Sequence, residues 1–350
     1  MPYKENRAET ELAFERFWAG DFIGRPLLAV TAPRCKDVKC VPYMAGAKEK
    51  DYDKVFRDFH TYAKNIYWAG ESMPAFECTF GPDQFAAFFG GKITYGNYGT
   101  SWIEPFLREM DQPMELDLRD DGYLAEMCRF IEKGVQSSQG EFLINMLDLH
   151  SNIDALSAAR GPQNFMLDLY DAPEAVLKQT ERINQGYKKV FEAVSNAGKM
   201  QQNGYYGWAP TCSKEKFSVV QCDASCMMGR EMFRKFALPS IEFEVLQLKH
   251  CVYHYDGKEA LGHLDDILAI PGIDVIQWVP GAGQPRTLEW MDLLKKIQSA
   301  GKGLWIYDWM SDEIIAKCKE LKPEKLIFSL TVETPEEADR LIQSVEKLYR

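Results

Sequence analysis

Apolar residues fall into short, nearly continuous runs separated by longer stretches with helical spacing. The runs at 27–32 (LLAVTA), 75–80 (AFECTF), 141–147 (EFLINML) and 204–208 (GYYGW) read as strands. Four more follow at 251–254 (CVYH), 275–279 (VIQWV), 304–308 (LWIYD) and 326–330 (LIFSL). Runs with little polar alternation predict strands buried on both faces, as in a parallel sheet covered by helices. A further extended piece, 217–222 (FSVVQC), sits in an insertion after the fourth run.

The intervening segments are amphipathic. Segment 172–197 places Val176, Ile183, Tyr187, Val190, Phe191 and Val194 at helical spacing. Segments 288–299 and 311–321 behave likewise, and another helix is expected over 231–248. Thr334 before Pro335, with Glu337 three residues on, predicts an N-cap, a first-turn proline and a capping box. No tandem repeat, low-complexity tract or long linker divides the chain. The expectation is therefore one domain over 1–350, with 1–24 as an N-terminal helical arm. Eight strands alternating with helices fit an α/β fold, the (β/α)8 TIM barrel. A doubly wound open sheet is the rival. No GxGxxG follows the first strand and no GxxxxGK(S/T) occurs, so its nucleotide-binding versions lose weight.

Composition narrows the classes. At 46% hydrophobic over 350 residues, the chain can bury a large core. No window approaches the ~18 apolar residues of a membrane span. The N-terminus is charged and lacks the apolar centre of a signal peptide. A soluble, cytoplasmic protein is expected. Lys and Arg number 41 against 52 Asp and Glu, a net charge of −11. Such a chain disfavours nucleic acid and any substrate carrying many carboxylates. The nine cysteines are odd in number and form no CxxC, so reduced thiols are expected, most of them core residues. An amphipathic arm and exposed aromatics would support a homodimer.

In a barrel the chemistry gathers at the C-terminal ends of the strands. There the fifth run ends Tyr253-His254-Tyr255-Asp256-Gly257. His254 and Asp256 stand two apart on extended chain, point to one side, and suit acid–base work or metal binding. Asp223 lies in the insertion, as either a turn residue or a carboxylate aimed into the barrel mouth. The sixth run ends Gln277-Trp278 before a Gly-rich loop and reads as a pocket wall or a plain turn. His150, Asp154 and Arg160 follow the third run, as substrate contacts or as caps and an ion pair. Tyr205, Trp208 and Tyr307 would line an aromatic pocket or belong to the core. No GxSxG elbow, HExxH or EF-hand loop is present.

The segments DALSAARGPQNFMLDLYDAPEAV, QCDASCMMGREMFRKFALPSIE, YHYDGKEALGHLD and IDVIQWVPGAGQP resemble the uroporphyrinogen decarboxylase superfamily. That superfamily also holds zinc- and corrinoid-dependent methyltransferases, and the likeness runs from about Arg25 to the end. The resemblance implies a (β/α)8 barrel. The arginine-rich motif of the tetrapyrrole decarboxylases is missing around Arg25 and Arg34, which speaks against that activity. The methyltransferase branch carries His-x-Cys after the fifth strand and a further Cys near the eighth. Here His254 matches, Asp256 replaces the first Cys, and Ser329-Leu330-Thr331-Val332-Glu333 contains none. The resemblance thus implies an oxygen-rich metal set of Asp223, His254, Asp256 and Glu333 that would hold zinc. Its implied function is methyl transfer between a small O- or N-methylated substrate and a cobalamin carried by a separate corrinoid protein. This chain has no DxHxxG cobalamin motif. The alternative is a decarboxylase or other lyase acting on a small carboxylic acid, with Arg160 or Arg34 holding the carboxylate.

Overall fold

The computed structural model describes residues 3–96 and 100–350. Its centre is a seven-stranded sheet built from the predicted apolar runs. In chain order the strands are β1 (Leu27–Pro33), β2 (Ile66–Gly70), β3 (Phe217–Gln221), β4 (His250–Asp256), β5 (Val275–Val279), β6 (Gly303–Ile306) and β7 (Leu326–Thr331). They lie in the order β2-β1-β7-β6-β5-β4-β3. All neighbours are parallel except the edge pair β1–β2, which is antiparallel. Every residue of β3 and β6 is buried, as expected of strands sandwiched between layers.

The ladder does not close on itself among the described residues. The predicted runs at 75–80, 141–147 and 204–208 shrink to two-residue bridges. Ala75–Phe76 pairs in parallel with Leu143–Ile144, and Tyr205–Tyr206 pairs with Cys212–Ser213. A single bond from Met146 N to Tyr206 O, 2.7 Å, links the two bridges. The residues that follow explain the truncation. Glu77 and Asn145 bring polar side chains into two of those runs, Asp148 follows the second, and Pro210, just past the third, offers no backbone donor. The strand missing from the prediction, β2, takes the free edge of β1, with Ala29 opposite Gly70. The 217–222 piece, read as an insertion, is a full sheet member beside β4.

Helices cover the sheet. The predicted long helix spans Pro173–Ala197, with Val176, Ile183, Tyr187, Val190, Phe191 and Val194 all buried. The helix expected over 231–248 is interrupted by a π segment, Phe233–Ala237. The N-terminal arm forms Arg7–Ala19 and packs back onto the body. Trp18 Nε1 donates to Cys212 O at 2.8 Å, and its ring stacks on His250 at 4.6 Å. No described helix is long and apolar enough to cross a membrane.

Candidate active site and metal centre

The parallel register lines up one row of side chains across four strands. Gln221 is opposite His254, His254 opposite Gln277, and Gln277 opposite Trp305. His254 Nδ1 lies 2.6 Å from Gln277 Oε1. A carboxamide oxygen only accepts, so in this contact Nδ1 donates and Nε2 is the ring nitrogen left for a ligand. Trp208 stands edge-on to the His254 ring, with centroids 5.2 Å apart, and meets Trp305 at 5.4 Å.

Two residues beyond His254 on the same face, Asp256 is half-buried. Its Oδ1 is fully enclosed with no hydrogen-bond partner. Burial raises its carboxyl above the ordinary range; His254 opposes the rise and Asp223 adds to it. One ligand atom each of Asp223, His254 and Asp256 lies within 4.8 Å of the others. Asp223 arrives on a 3-10 turn, Asp223–Met227, whose first amides are clamped by another carboxylate. Asp154 Oδ2 accepts from Asp223 N at 2.9 Å and Oδ1 from Ala224 N at 2.8 Å.

His150 sits between two carboxylates, 3.4 Å from Asp148 and 3.7 Å from Asp223. Burial would lower it, but Asp148, Asp223 and Asp154 together raise it to about 10. The surrounding carboxylates thus favour its charged form.

A cavity of about 490 Å³ is lined by none of Asp223, His254 and Asp256 and is linked to them by Trp208, which lines it and stands against the His254 ring. Trp208 and Tyr307 line it together with Trp68, Tyr206, Glu77 and Asn145. Residues from β1 and β7 complete the wall.

The other predicted site residues are placed elsewhere. Asp154 is buried and bound to backbone amides, so it supports Asp223 and offers little to a ligand. Arg160 pairs with Asp168 at 2.6 Å and also bonds backbone carbonyls at 107 and 108, outside the cavity lining. Tyr205 is buried, with its hydroxyl 2.9 Å from Ser195. Trp278 alternates to the face opposite Gln277 and packs on Tyr255 and Trp290. Glu333 is exposed beyond β7 and lies outside the three-residue group. Arg34 donates to Ile66 O and sits over Tyr67, also away from the cavity.

Sequence reasoning passed over Glu77, Asn145, Asp148 and Gln221. A signal existed for Glu77, a lone acid inside an apolar run. Burial and the charge of Asp148 push its carboxyl up to about 7. Five of the nine cysteines are buried as expected, whereas Cys35, Cys40 and Cys226 are exposed and Cys128 is half-buried. Cys222 is buried with its thiol well above the ordinary value, and no cysteine joins the three-residue group.

No family model matches the sequence. No curated protein matches it either. Among solved structures, a methyltransferase from Methanosarcina mazei superposes with a TM-score of 0.64, covering 97% of this chain and 99% of that one. The two are 13% identical, so the likeness is one of fold.

Proposed function

We propose that this chain is a methyltransferase, moving a methyl group between a small O- or N-methylated substrate and a cobalamin held by a separate corrinoid protein. The observation that carries the reading is the convergence of Asp223, His254 and Asp256 at the C-terminal ends of parallel strands, with Trp208 linking them to an aromatic cavity. The methyltransferase name of the structural neighbour and the resemblance to the uroporphyrinogen decarboxylase superfamily support it. The finer reading of the fold as that superfamily's barrel goes with it. Segments 75–77, 145 and 206–208 surround one cavity together with β1 and β7, where the remaining barrel strands would stand.

The three side chains fit a divalent ion such as zinc. They offer one imidazole nitrogen and two carboxylates, and the buried Asp256 Oδ1 lacks any protein partner. Asp223, His254 and Asp256 would hold the ion, with Glu333 left out. When bound, such an ion acts as a Lewis acid on the leaving oxygen or nitrogen. The protein's own groups do the positioning. Gln277 sets the tautomer and ring plane of His254, a supporting contact of the kind metal-bound histidines require. Asp154 pins the backbone under Asp223. Trp208 and Tyr307 shape the wall beside the reacting centre. With oxygen ligands in place of thiolates, the set favours an ether or amine over a thiol. No Lys or Arg lines the cavity, so nothing there favours a small carboxylic acid as substrate.

Purified chain supplied with zinc, cob(I)alamin and a panel of methoxylated and N-methylated compounds should yield methylcobalamin, read from its absorbance. No transfer from any panel member to the zinc-loaded protein overturns the reading. Metal analysis should find one divalent ion per chain, with affinity reduced at least about tenfold in His254→Ala and in Asp256→Ala. Unchanged metal content in both variants removes the ligand set.

A further inference from the structure

We propose that Cys35 and Cys40 form a reversible disulfide, a modification site on the surface loop that follows β1. Such a bridge forms whatever reaction the strand ends carry.

Exposure singles out the pair. Only Cys35, Cys40 and Cys226 are exposed among the nine cysteines. Cys226 stands on the distant Asp223–Met227 turn, whereas Cys35 and Cys40 are five residues apart in Cys35-Lys36-Asp37-Val38-Lys39-Cys40. Both thiols rest on the end of one helix, Tyr52–Lys64. Cys35 Sγ lies 3.6 Å from Oδ1 of Asn65, the C-cap of that helix, and the Cys40 thiol meets the Tyr62 hydroxyl. Tyr62 and Asn65 are three residues apart, and Asn65 N donates to Tyr62 O at 2.9 Å. Residues at that spacing are neighbours on one helix face, so the two thiols share one small patch.

The backbone leaves them free to meet. The chain turns at 36–37, with Asp37 in the left-handed region at φ 66°, a conformation in which Asp is enriched. Before the loop, Arg34 N donates to Asn65 O at 2.8 Å, and after it Met44 is buried. Between these anchors the backbone of residues 36–41 makes no hydrogen bond to the body of the protein among the described residues. A disulfide requires Cα atoms within about 7 Å and Cβ atoms about 4 Å apart. Adjusting the loop to that geometry breaks no ladder or helix bond.

The oxidant is a small-molecule disulfide such as glutathione disulfide. One protein thiolate attacks it, forms a mixed disulfide and releases one glutathione. The second thiolate attacks the protein sulfur of that intermediate, so the protein S–S bond forms and the second glutathione leaves. Two protein thiols thus give up two electrons and two protons, which two glutathione thiols carry away. Glutathione disulfide is anionic, and Arg34, Lys36 and Lys39 border the pair in a chain whose net charge is −11. Closure reaches the interior through Cys40, which lines a slot of about 230 Å³ under residues 40–46. Glu77 lines both that slot and the aromatic cavity. Drawing Cys40 off the Tyr62 hydroxyl therefore reshapes the outer wall of a slot that adjoins the cavity.

The test equilibrates the reduced full chain at neutral pH with about 1 mM each of glutathione and glutathione disulfide, where a loop this short, holding its thiols at an effective concentration of millimolar order or above, should be mostly bridged. Remaining thiols are then alkylated and the chain is digested with trypsin, which cuts after Arg34, Lys36, Lys39 and Lys48. A bridge keeps peptide 35–36 joined to peptide 40–48 in the mass spectrum, and dithiothreitol separates them. Thiols that react rapidly with Ellman's reagent should fall from three to one, the survivor being Cys226. Cys35→Ser should instead leave Cys40 carrying one glutathione. Glutathione adducts on both cysteines with no joined peptide, a bridge between two chains, or both thiols still free overturns the proposal. The peptide map of the unaltered protein decides even where the variant does not fold. No metal or corrinoid enters the assay, so its failure leaves the methyl-transfer reading untouched, and failure of methyl transfer leaves the bridge untouched.

Discussion

At the scale of single residues, the chemistry depends on which side of a strand a side chain takes. His254 and Gln277 meet in one row, whereas Tyr255 and Trp278 pack together on the opposite face. Buried acids away from the metal group have a different consequence. Glu244 is 1% exposed, and its carboxyl accepts from Ser151 at 2.6 Å and from Asn152 at 3.4 Å. Burial raises it from 4.5 to about 8 even against those bonds. Between those values the folded chain keeps a proton that the unfolded chain has released. Its contribution to stability is thus full below the unfolded value and falls as pH rises toward about 8. Urea unfolding over that range should show this decline, and Glu244→Gln, which cannot ionise, should flatten it. An unchanged slope in the variant would show that Glu244 is ionised in the folded protein.

At the scale of elements, short turns decide where the ligands stand. The 3-10 turn Asp223–Met227 carries Asp223, and its leading amides are held by Asp154, itself held through Asp154 N by Asn152 at 3.2 Å. Asn152 also donates to Gln221 O, at 2.8 Å, on the strand beside His254. Asp154→Ala should therefore lower metal affinity by about 10- to 100-fold, measured by competition with a chromophoric chelator, while leaving all three ligands in the chain. Unaltered affinity would mean the turn holds Asp223 without that clamp. The C-terminal helix Pro335–Leu348 shows how locally an element can be encoded. Thr334 accepts from Glu337 N as its motif predicts. The return contact from Glu337 reaches Glu333 N, one residue before the expected partner.

At the scale of the whole molecule, the ligands come from β4 and from the turn that follows its parallel neighbour β3, segments separated in sequence by a helix. An ion that joins them binds the folded chain and not the unfolded one. Zinc at a hundred times its dissociation constant should thus stabilise the protein by about 2.7 kcal/mol, visible as a raised melting temperature that a chelator reverses. No zinc-dependent shift would argue that the three side chains bind no ion when folded. The same distance in sequence explains what could be read beforehand. The apolar runs that became β1 and β4–β7 were legible because burial on both faces leaves an uninterrupted local pattern. The runs at 75–80, 141–147 and 204–208 were equally apolar to the eye, yet they pair over only two residues each. Their polar members face a cavity, and a cavity has no local signature.

The sequence by itself determined the α/β alternation, the last helix with its cap, and the pairing of His254 with Asp256, because period and spacing are properties of neighbouring residues. Only the tertiary structure decided that the hydrogen-bonded sheet stays open, that Gln277 joins His254 while Trp278 turns away, and that Asp154 and Arg160 serve the scaffold. It alone brought Glu77 and Asn145, 68 residues apart in the chain, to one cavity wall. Those outcomes depend on register and packing between distant segments, and no local window of sequence contains both partners.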